Sequence, residues 1–500
     1  MNRCIQAARM TTELPAQAWG RAASSLSLTC QRRARHSARK IFWAILMALL
    51  LGGCGPLLKT PYSAPEVSMP QGWSAASAPT AESLSTSLAG WSSGFGDPVL
   101  DRLVEQALLR NNDLAAATIR VRRAQLQAGL AADQMIPALG ATASTSHEKD
   151  IRHGGGTARA YALNGSVSYE ADLWGKLSSQ YDAAKWEALA TEQDRQSTAL
   201  SLVGTTMNLY WRIAYLNVRI DLSGQSIAYA EKTLALVRAQ YRSGAASSLQ
   251  VSEAEQSLAS QQADQLDLLQ QRVEAYNALA LLFDGPPGDI VANPQVMPEG
   301  ELPPVDAGLP AELLGRRPDL QAAELRLRKL LADTDATRAS FYPSLTLTGT
   351  LGSSSTSLSE VLRNPIAALA TQLALPFLQW NEMRLSVKSS QAEYEEAVVN
   401  LRQTLYQALG EVENALSARR MLAEQGASLE RALAAARQVE RMYEVRYRAG
   451  YVSLNVWLDA QETRRTSEIA LAENLLNRLA NHVTLLQALG GEAALPSQPL

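Results

Sequence analysis

The sequence predicts a mainly α-helical protein with additional membrane-spanning β-strands, duplicated within one chain. The duplication is visible as residues that recur 206 positions later, without a gap, over about 140 residues. Each copy contains a long proline-free stretch that predicts an unusually long helix, preceded by two segments that alternate polar with apolar residues. The recurring residues include Asp113 and Asp319, Trp174 and Trp380, and the Tyr-Arg-x-Gly sequences at 241–244 and 447–450. We therefore expect two copies of one structural unit.

Residues 1–53 have the features of an export signal. A basic segment precedes an apolar run at 41–51, which is too short for a transmembrane helix of ~20 residues. The run ends at Leu-Gly-Gly-Cys, residues 51–54, which resembles a bacterial lipobox. We expect cleavage before Cys54 and a covalent lipid on Cys54, with no other cofactor. A plain cleaved signal with an incidental cysteine is the alternative.

The composition after cleavage excludes several kinds of site. Cys54 would be the only cysteine because Cys4 and Cys30 lie upstream, so intrachain disulfides and thiolate metal sites are excluded. Loss of residues 1–53 removes eight basic residues and one acidic one, which lowers the formal net charge from −3 to −10. An acidic chain is a poor partner for nucleic acid. Gly55 stands where an aspartate would retain a lipoprotein at the inner membrane, so the outer membrane is favoured.

The chain divides into six predicted parts. The segment after Cys54 is rich in Ser, Ala and Pro, and it predicts an extended link between the lipid and the first helix. A Pro- and Gly-rich connector separates the two copies. The parts are the signal peptide 1–53, the extended segment 54–98, the first repeat 99–284, the connector 285–310, the second repeat 311–491 and the tail 492–500.

Four segments alternate small or apolar residues with polar ones, as membrane-spanning strands do. The predicted strands are 138–146, 160–169, 344–351 and 367–375. Trp174 and Trp380 follow the second strand of each pair, where an interfacial aromatic belt would lie. Soluble β-hairpins beneath the helices are the alternative. Because four strands cannot close a barrel and open edges are not tolerated in lipid, strands that cross the membrane would require oligomerisation.

Both proline-free stretches are rich in the strong helix formers Ala, Leu, Gln, Glu and Arg. They predict helices at 176–242 and 382–448, each about 100 Å long. Such lengths are typical of a coiled coil or a helical tube, and polar interruptions of the apolar pattern leave a wide polar face. Gly244 and Gly450 mark the helix ends, after which we expect second helices at about 249–282 and 456–489.

Catalytic and metal-binding motifs are absent from the sequence. It contains no phosphate-binding loop, zinc-protease motif, Cys-x-x-Cys or nucleophile elbow. His147 and His153 lie six residues apart in a polar loop, where solvated side chains are favoured over a surface metal site. His482 is predicted to be structural. We expect no catalytic residue and no metal site, and therefore not an enzyme.

Acidic residues follow each Tyr-Arg-x-Gly sequence by about two helical turns. Glu253 and Glu255 lie in the first copy, and Asp459 in the second copy corresponds to Glu253. In an oligomer, inward-facing carboxylates there would form a ring that selects cations or pairs with Arg to hold a constriction shut. A solvated helix face is the alternative for each of these residues.

Several segments resemble the TolC/OprM-type outer membrane efflux proteins, in particular their lipidated branch. These are WSSGFGDPVLDRLVEQALLRNNDLAAA, YEADLWGKL, ELLGRRPDLQAAE, ASFYPSLTLTGTLG and YRAGYVSLNVWLDAQ. The resemblance extends from Cys54 to about Gly491. The sequence FLQWN at 377–381 departs from the small, Gly-containing stretch of the family, which puts the local turn into the second long helix in question.

The resemblance implies a homotrimer in which each protomer gives four strands to a shared twelve-stranded β-barrel. The long helices would continue it as a coiled-coil tube through the periplasm, with a mixed equatorial region at the connector. The implied function is a passive outer membrane exit duct for small molecules, supplied by a periplasmic adaptor protein and an inner membrane RND-type pump. A type I protein secretion duct and a lipid-tethered periplasmic coiled-coil scaffold are the alternatives.

The same resemblance implies roles for five residues at the Tyr-Arg-x-Gly sequences. Gly244 and Gly450 would permit the tight turns at which the adaptor docks. Asp459 matches the acidic position of the family inside the constriction that closes the tube. Tyr447 and Arg448 are the candidate partners that hold this periplasmic gate shut.

Overall fold

The computed structural model describes residues 59–74, 88–149, 157–288, 291–298, 300–305, 307–363 and 365–491, with the side chains of 88–90 excepted. The signal peptide, Cys54 and the tail 492–500 lie outside these residues. The helices are α1 (Leu88–Ser93), α2 (Pro98–Arg110), α3 (Asn112–Asp133), α4 (Lys176–Arg242), α5 (Ser248–Leu281), α6 (Leu313–Arg316), α7 (Pro318–Ala339), α8 (Trp380–Arg448) and α9 (Leu454–Ala488). The strands are β1 (Ala138–Lys149), β2 (Thr157–Ala171), β3 (Ser344–Ser355) and β4 (Pro365–Ala374).

The described chain is mainly helical, and its two longest helices dominate it. Helix α4 spans 67 residues and α8 spans 69. The Asp172 carboxylate caps the start of α4 by accepting the backbone N–H groups of Leu177 and Ser178 at 3.0 and 2.9 Å. Helix α8 begins at Trp380, two residues earlier than predicted, after a 3₁₀ turn at Pro376–Leu378. None of the described helices combines the length and apolar character that crossing a bilayer requires.

The four strands form one antiparallel sheet in the order β1-β2-β3-β4. Ala138 pairs with Ser168 at the open end of the first hairpin. In the second hairpin Ser344 pairs with Ala374, and both residues lie 206 positions after the first pair. The two hairpins therefore have the same register under the offset that the sequence displays.

The register places apolar residues on one face of the sheet and polar residues on the other. Odd-numbered residues pair with odd-numbered ones, as in Leu163 with Ser353 and Val167 with Gly349, and even-numbered residues pair with even-numbered ones. The exposed apolar side chains of the odd-numbered face include Leu139, Leu163, Val167, Leu347, Leu351, Leu369 and Leu373. The even-numbered face carries Thr142, Ser144, Ser166, Thr346, Thr348 and Gln372. An apolar face that stays exposed in one chain is typical of strands that contact lipid.

The strands are longer than the alternating segments alone predict. Strand β1 extends to Lys149 and β3 to Ser355, while β2 begins at Thr157. At these hairpin ends the side chains are polar and charged, so the alternation is lost. Backbone hydrogen bonds of the ladder do not depend on side-chain polarity, so the pairing continues beyond the pattern.

Two compact units are distinguished, and each has its own packing. The strand unit has its described residues within Met1–Thr60, Ala132–Gln180 and Asp335–Val387. There Thr60 donates from its backbone N–H and its hydroxyl to the two oxygens of the buried Asp335 carboxylate, both at 2.7 Å. These two bonds tie the start of the described chain to the end of α7.

The helical unit comprises the described parts of Pro61–Ala131, Tyr181–Thr334 and Lys388–Leu500. Its largest core surrounds Trp211 of α4, which packs with Leu100 of α2, Leu279 of α5 and Leu479 of α9. A second core joins α7, α8 and α9 through Leu320, Leu405, Val412 and Leu485. The Trp73 indole N–H donates to the Gly308 carbonyl at 3.0 Å and so holds the extended segment against the connector.

Candidate functional site

Two turns join the long helices to the helices that follow them. The first turn comprises residues 243–247, between α4 and α5, and the second comprises residues 449–453, between α8 and α9. Gly244 and Gly450 have φ angles of 77° and 78°, in the left-handed region that side chains rarely adopt. The space that a Cβ atom would occupy is open to 4 Å at both positions. The backbone conformation, and not crowding, therefore requires glycine.

Both turns close with the same two backbone hydrogen bonds. The glycine N–H bonds to the carbonyl three residues earlier, and the next N–H bonds to the carbonyl five residues earlier, with N···O distances between 2.8 and 3.0 Å. This Schellman arrangement satisfies carbonyls at the helix end that have no partner within the helix. In the first turn Ser247 then begins α5 with a capping box to Gln250. Ser453 begins α9 without a side-chain cap.

A cluster of buried apolar and aromatic residues lies beside the turns and includes both helix pairs. Its buried members are Leu234, Val237, Ala254, Tyr447, Leu454 and Trp457. The Tyr447 ring stacks on Trp457 with 5.1 Å between centroids, and Tyr229 meets Trp457 edge to face at 5.9 Å. The Tyr447 hydroxyl donates to the Gln240 amide oxygen at 2.6 Å. Burial raises the pKa of Tyr447, so this hydroxyl stays a donor.

Polar contacts connect the first helix pair, α4 and α5, with the second pair, α8 and α9, and three of them involve residues of the half of each pair that lies toward the turns. One is the Tyr447–Gln240 hydrogen bond described above. The Asn455 amide donates to Glu253 Oε1 at 3.1 Å. Arg465 Nη1 lies 3.3 Å from Asp264 Oδ2. Because hydrogen bonds of this kind each contribute about 0.5–1.5 kcal/mol net, they hold the pairs together without making separation prohibitive.

The second helix pair is held internally by a network of charged groups. Arg464 contacts Glu440 and Glu468, each at 2.6 Å, and Arg437 reaches Glu468 at 3.0 Å. Glu440 is 9% exposed, so its charge requires the arginine partner. Burial, followed by the negative charges of Glu444 and Glu440, raises the pKa of the nearby Tyr229 hydroxyl. The network fixes α8 against α9.

Asp459 lies exposed on α9, beside a polar cavity of about 190 Å³. In the described part of the chain its carboxylate has no hydrogen bond or ion pair, and its backbone carbonyl accepts from Thr463 at 2.8 Å. Arg448 pairs instead with Glu444 at 2.7 Å, one turn earlier on the same helix. Within one chain, therefore, Asp459 is brought together with neither Arg448 nor the buried Tyr447.

Sequence reasoning did not single out Tyr229, Trp457, Glu440 or Arg464. Glu440 and Arg464 lie on different helices, and nothing in the local sequence of either indicates the pairing. Trp457 lies in one of the motif segments, at helical spacing from the buried Leu454, which is the signal that could have identified it as core. Among the described residues, no group of three or more His, Cys, Asp or Glu could hold a metal ion.

The two predicted interface tryptophans have different surroundings. The Trp174 indole N–H donates to the Pro343 carbonyl at 2.8 Å, and its ring lies 5.2 Å from Tyr342. Trp380 is 65% exposed at the start of α8. The tryptophan of the first repeat is therefore packed within the chain, and the tryptophan of the second repeat is not.

Comparison with known proteins matches both halves of the chain to one family. The model of the outer membrane efflux protein family matches residues 103–284 and again residues 309–491. Among curated proteins, the pyoverdine export outer membrane protein OpmQ of Pseudomonas aeruginosa is 32% identical over 459 residues, which is 89% of this chain and 96% of that protein. The toxin and drug export protein A of Aggregatibacter actinomycetemcomitans is 30% identical over 80% of this chain and 88% of its own length.

Solved structures give the same result for the fold. The Campylobacter jejuni CmeC outer membrane channel aligns with a TM-score of 0.80 and 25% identity, over 87% of this chain and 94% of that one. The open state of the Neisseria gonorrhoeae MtrE outer membrane channel aligns with a TM-score of 0.77 and 27% identity, over 87% and 98%. The fold of this chain is thus similar to that of solved outer membrane channels.

Proposed function

We propose, from the premise that this chain belongs to the outer membrane efflux protein family, that it forms the exit duct of a tripartite efflux system. The family match confirms the resemblance found in the sequence. The chain is an outer membrane efflux component that extends into the periplasm, from a family of channel proteins rather than enzymes. The observation that carries the proposal is the family match over both halves of the chain.

The proposed assembly is a homotrimer with a twelve-stranded barrel. The sheet of one chain ends at β1 and β4, whose outer edges have no strand partner among the described residues. Unpaired backbone groups are costly in lipid, so the edges must meet other copies. Three copies with four strands each give a closed barrel, with the exposed apolar face of leucines and valines turned to lipid. The two repeats, 99–284 and 311–491, would be duplicated units of this assembly.

The proposed partners are a periplasmic adaptor and an inner membrane RND-type pump. Relatives include the toluene efflux pump outer membrane protein TtgC of Pseudomonas putida, which is 30% identical over 455 residues. A duct of this kind needs no energy source of its own, and the sequence has no nucleotide-binding motif. We propose small molecules as the cargo.

A second candidate cargo is protein, through a type I secretion system. The name of the Aggregatibacter relative includes both toxin and drug export, and this is the observation that favours it. The two cargoes are distinguished by which inner membrane partner co-purifies with the duct after cross-linking in cells.

The proposed anchor is a lipid on Cys54, in addition to the barrel. The lipobox-like sequence at 51–54 supports it. Mass spectrometry of the mature N-terminus should find an acylated Cys54, and Cys54→Ser should accumulate as the uncleaved form. An unmodified N-terminus at another residue would contradict the anchor without affecting the channel proposal.

The proposed gate lies at the two turns. Asp459 is exposed there and free to meet another protomer, with Tyr447 and Arg448 nearby in sequence. The turns at Gly244 and Gly450 are proposed as the docking points of the adaptor. Their left-handed glycines support this, because a side chain would cost about 1 kcal/mol and distort the turn.

The channel proposal is tested with the purified protein in planar lipid bilayers. We expect discrete conductance steps, and a trimer by native mass spectrometry in detergent. Expression in a strain that lacks its own exit duct, together with the adaptor and pump genes, should lower the accumulation of a fluorescent efflux substrate. A monomer that forms no conductance would overturn the proposal and favour the periplasmic scaffold.

A further inference from the structure

The polar cavity beside Asp459 lies between α9 of the second helix pair and α4 and α5 of the first. Its volume is about 190 Å³, and every residue that lines it belongs to the helical unit. Apart from Tyr229 and Leu458, the lining residues are Ser, Gln, Asp, Glu and Arg. Because an apolar cavity of about 150 Å³ holds a benzene molecule, this cavity has room for a polar molecule of about the size of one sugar ring.

Two buried amide atoms at this cavity have no hydrogen-bond partner among the described residues. They are Nε2 of Gln461, a residue that is 9% exposed, and Oε1 of Gln261. The amide nitrogen of Gln261 is already used, since it donates to the Ser257 hydroxyl at 3.3 Å. Buried polar groups in folded proteins are nearly all hydrogen-bonded, because leaving one without a partner is costly. The two atoms therefore indicate a molecule that donates to Gln261 and accepts from Gln461.

The charged groups around the cavity favour a cation. Arg464 and Arg465, the two arginines that line it, each contact two carboxylates, one of which belongs to the lining residue Glu462. Asp459 also lines the cavity, but its carboxylate has no ion pair or hydrogen bond among the described residues. Both guanidinium groups are thus already compensated, and one carboxylate remains. An opposite charge close to this carboxylate would be attracted to it.

A bare metal ion meets only part of these requirements. It would bind the carboxylate of Asp459 and the amide oxygen of Gln261, but it offers no acceptor to the N–H groups of Gln461. An ammonium group has three donors and no acceptor, so it has the same shortcoming when it stands alone. A hydroxyl group both donates and accepts. A ligand that combines one ammonium group with hydroxyl groups therefore matches the charge and both amide atoms.

We propose that this cavity binds a small polyol that carries one ammonium group, such as an amino sugar. The ammonium group is held by Asp459 and the Gln261 amide oxygen, and a hydroxyl oxygen of the ligand accepts from Gln461. The buried Ser226 on α4 lines the cavity as well, and its hydroxyl provides a further partner. One chain supplies the whole site, so the inference depends neither on the proposed trimer nor on the proposed gate.

Ligand-observed NMR tests the site with the purified full-length protein in detergent, in a buffer without other amines. D-glucosamine is the probe, at a pH where its amine is protonated, and glucose is the matched comparison with a hydroxyl group in place of the ammonium group. Glucosamine should bind about tenfold more tightly, because hydrogen bonds to charged groups are the stronger ones. Equal binding of the two sugars, or binding of neither, would overturn the inference and leave the cavity to ordered water. Displacement of glucosamine by equimolar magnesium chloride would assign the site to a metal ion instead.

Gln461→Met separates ligand binding from folding, because methionine is similar in length and has no N–H group. The temperature of unfolding should stay the same or rise, since a buried donor without a partner is removed. The affinity for glucosamine should fall by about tenfold. The matched control Gln262→Met changes an exposed residue that does not line the cavity, and it should leave the affinity unchanged. A lower unfolding temperature with unchanged glucosamine affinity would show that the Gln461 amide is purely structural, against the inference.

Asp459→Asn tests the position of the ammonium group. Loss of the charge should weaken glucosamine binding by about tenfold and leave glucose binding unchanged, so that the two sugars bind alike. The control Asp267→Asn removes an exposed carboxylate of α5 that accepts from Gln271 at 2.7 Å and does not line the cavity. It should keep the preference for glucosamine. If Asp459→Asn keeps this preference but alters the cation dependence of conductance, the carboxylate belongs to the proposed gate alone, and the ligand site is wrong.

Discussion

The two turns share a sequence motif and a backbone conformation, but the side chains around them differ. Tyr241 before the first turn is 51% exposed, whereas its counterpart Tyr447 before the second is 6% exposed and stacked on Trp457. The φ angles of Gly244 and Gly450 differ by one degree. The motif therefore determines the backbone conformation of the turn, and the surrounding helices determine whether its tyrosine is buried or exposed.

The charged pairs beside the turns differ in the same way. Arg238 pairs with Glu255 in the first helix pair, with about half of each side chain exposed. In the second pair, Arg464 with Glu440 and Glu468 is largely buried. A buried network is costly to break, while an exposed pair contributes little. We therefore expect the interior of the second helix pair to be the harder of the two to separate.

The largest expected effect is that of truncating the buried tyrosine. Tyr447→Ala should destabilise the region around the second turn by about 3–5 kcal/mol, because it empties the stack on Trp457. Tyr241→Ala, the same change in the first turn, should cost within about 0.5 kcal/mol. Native-state hydrogen exchange of the helix ends measures both. Equal losses of stability at the two turns would show that the difference in exposure between the two tyrosines does not affect stability.

A second effect depends on pH and arises from His482 on α9. Its ring is 1% exposed, and Nδ1 accepts from Arg419 at 3.0 Å, which requires the neutral form. Burial, followed by the charge of Arg419, lowers the pKa of His482 to about 4. Its counterpart Tyr276 on α5 donates instead to Asn293, at 2.8 Å.

The direction of the pH effect follows from that lowered pKa. The unfolded state binds the proton near pH 6.5 and the folded state near 4, so stability is full above about pH 6.5 and falls as the pH drops between these values. At about 1.36 kcal/mol per pKa unit, the loss reaches about 3 kcal/mol. Thermal unfolding of wild type and His482→Gln between about pH 7 and 4 measures it. An identical pH dependence in both proteins would exclude His482 as the cause.

The charge network should show a smaller effect than the tyrosine. Arg464→Ala should destabilise the second helix pair by about 1.5–3 kcal/mol, because Glu440 and Glu468 lose a partner. Arg238→Ala should cost less than about 1 kcal/mol, because its pair with Glu255 is solvated. Denaturant titration of the detergent-solubilised protein compares them. If Arg238→Ala costs as much, the two helix pairs have equally stiff interiors.

The sequence could predict what depends on local pattern. Helix α4 and the four strands follow from helix formers and alternation, and the glycines of both turns follow from the repeated Tyr-Arg-x-Gly. The contrast between Tyr241 and Tyr447 could not be predicted, because the two copies carry the same motif. It depends on Trp457, whose counterpart is Val251, and on contacts between helices far apart in the chain. The duplication thus identifies the repeated structural unit, but it does not predict that the two copies differ in the packing of their side chains.

The smallest effect on stability and the most direct effect on transport are expected at Asp459. Its carboxylate has no described partner, so Asp459→Ala should change unfolding by less than about 0.5 kcal/mol. Its counterpart Glu253 accepts from Asn455 at 3.1 Å, so Glu253→Ala loosens the link between the helix pairs instead. In the proposed trimer, three copies of Asp459 near the axis would repel one another unless cations or arginine compensated.

Removing the proposed ring of carboxylates by Asp459→Ala should therefore raise single-channel conductance in planar bilayers and weaken its dependence on divalent cations. Asp459→Asn, which keeps the size and removes the charge, should behave in the same way. Glu253→Ala is the matched control: it should leave the cation dependence unchanged, because its carboxylate is already occupied within the chain. If Asp459→Ala leaves both conductance and cation dependence as in wild type, Asp459 faces solvent on the outer surface of the tube, and the gate must be formed by other residues.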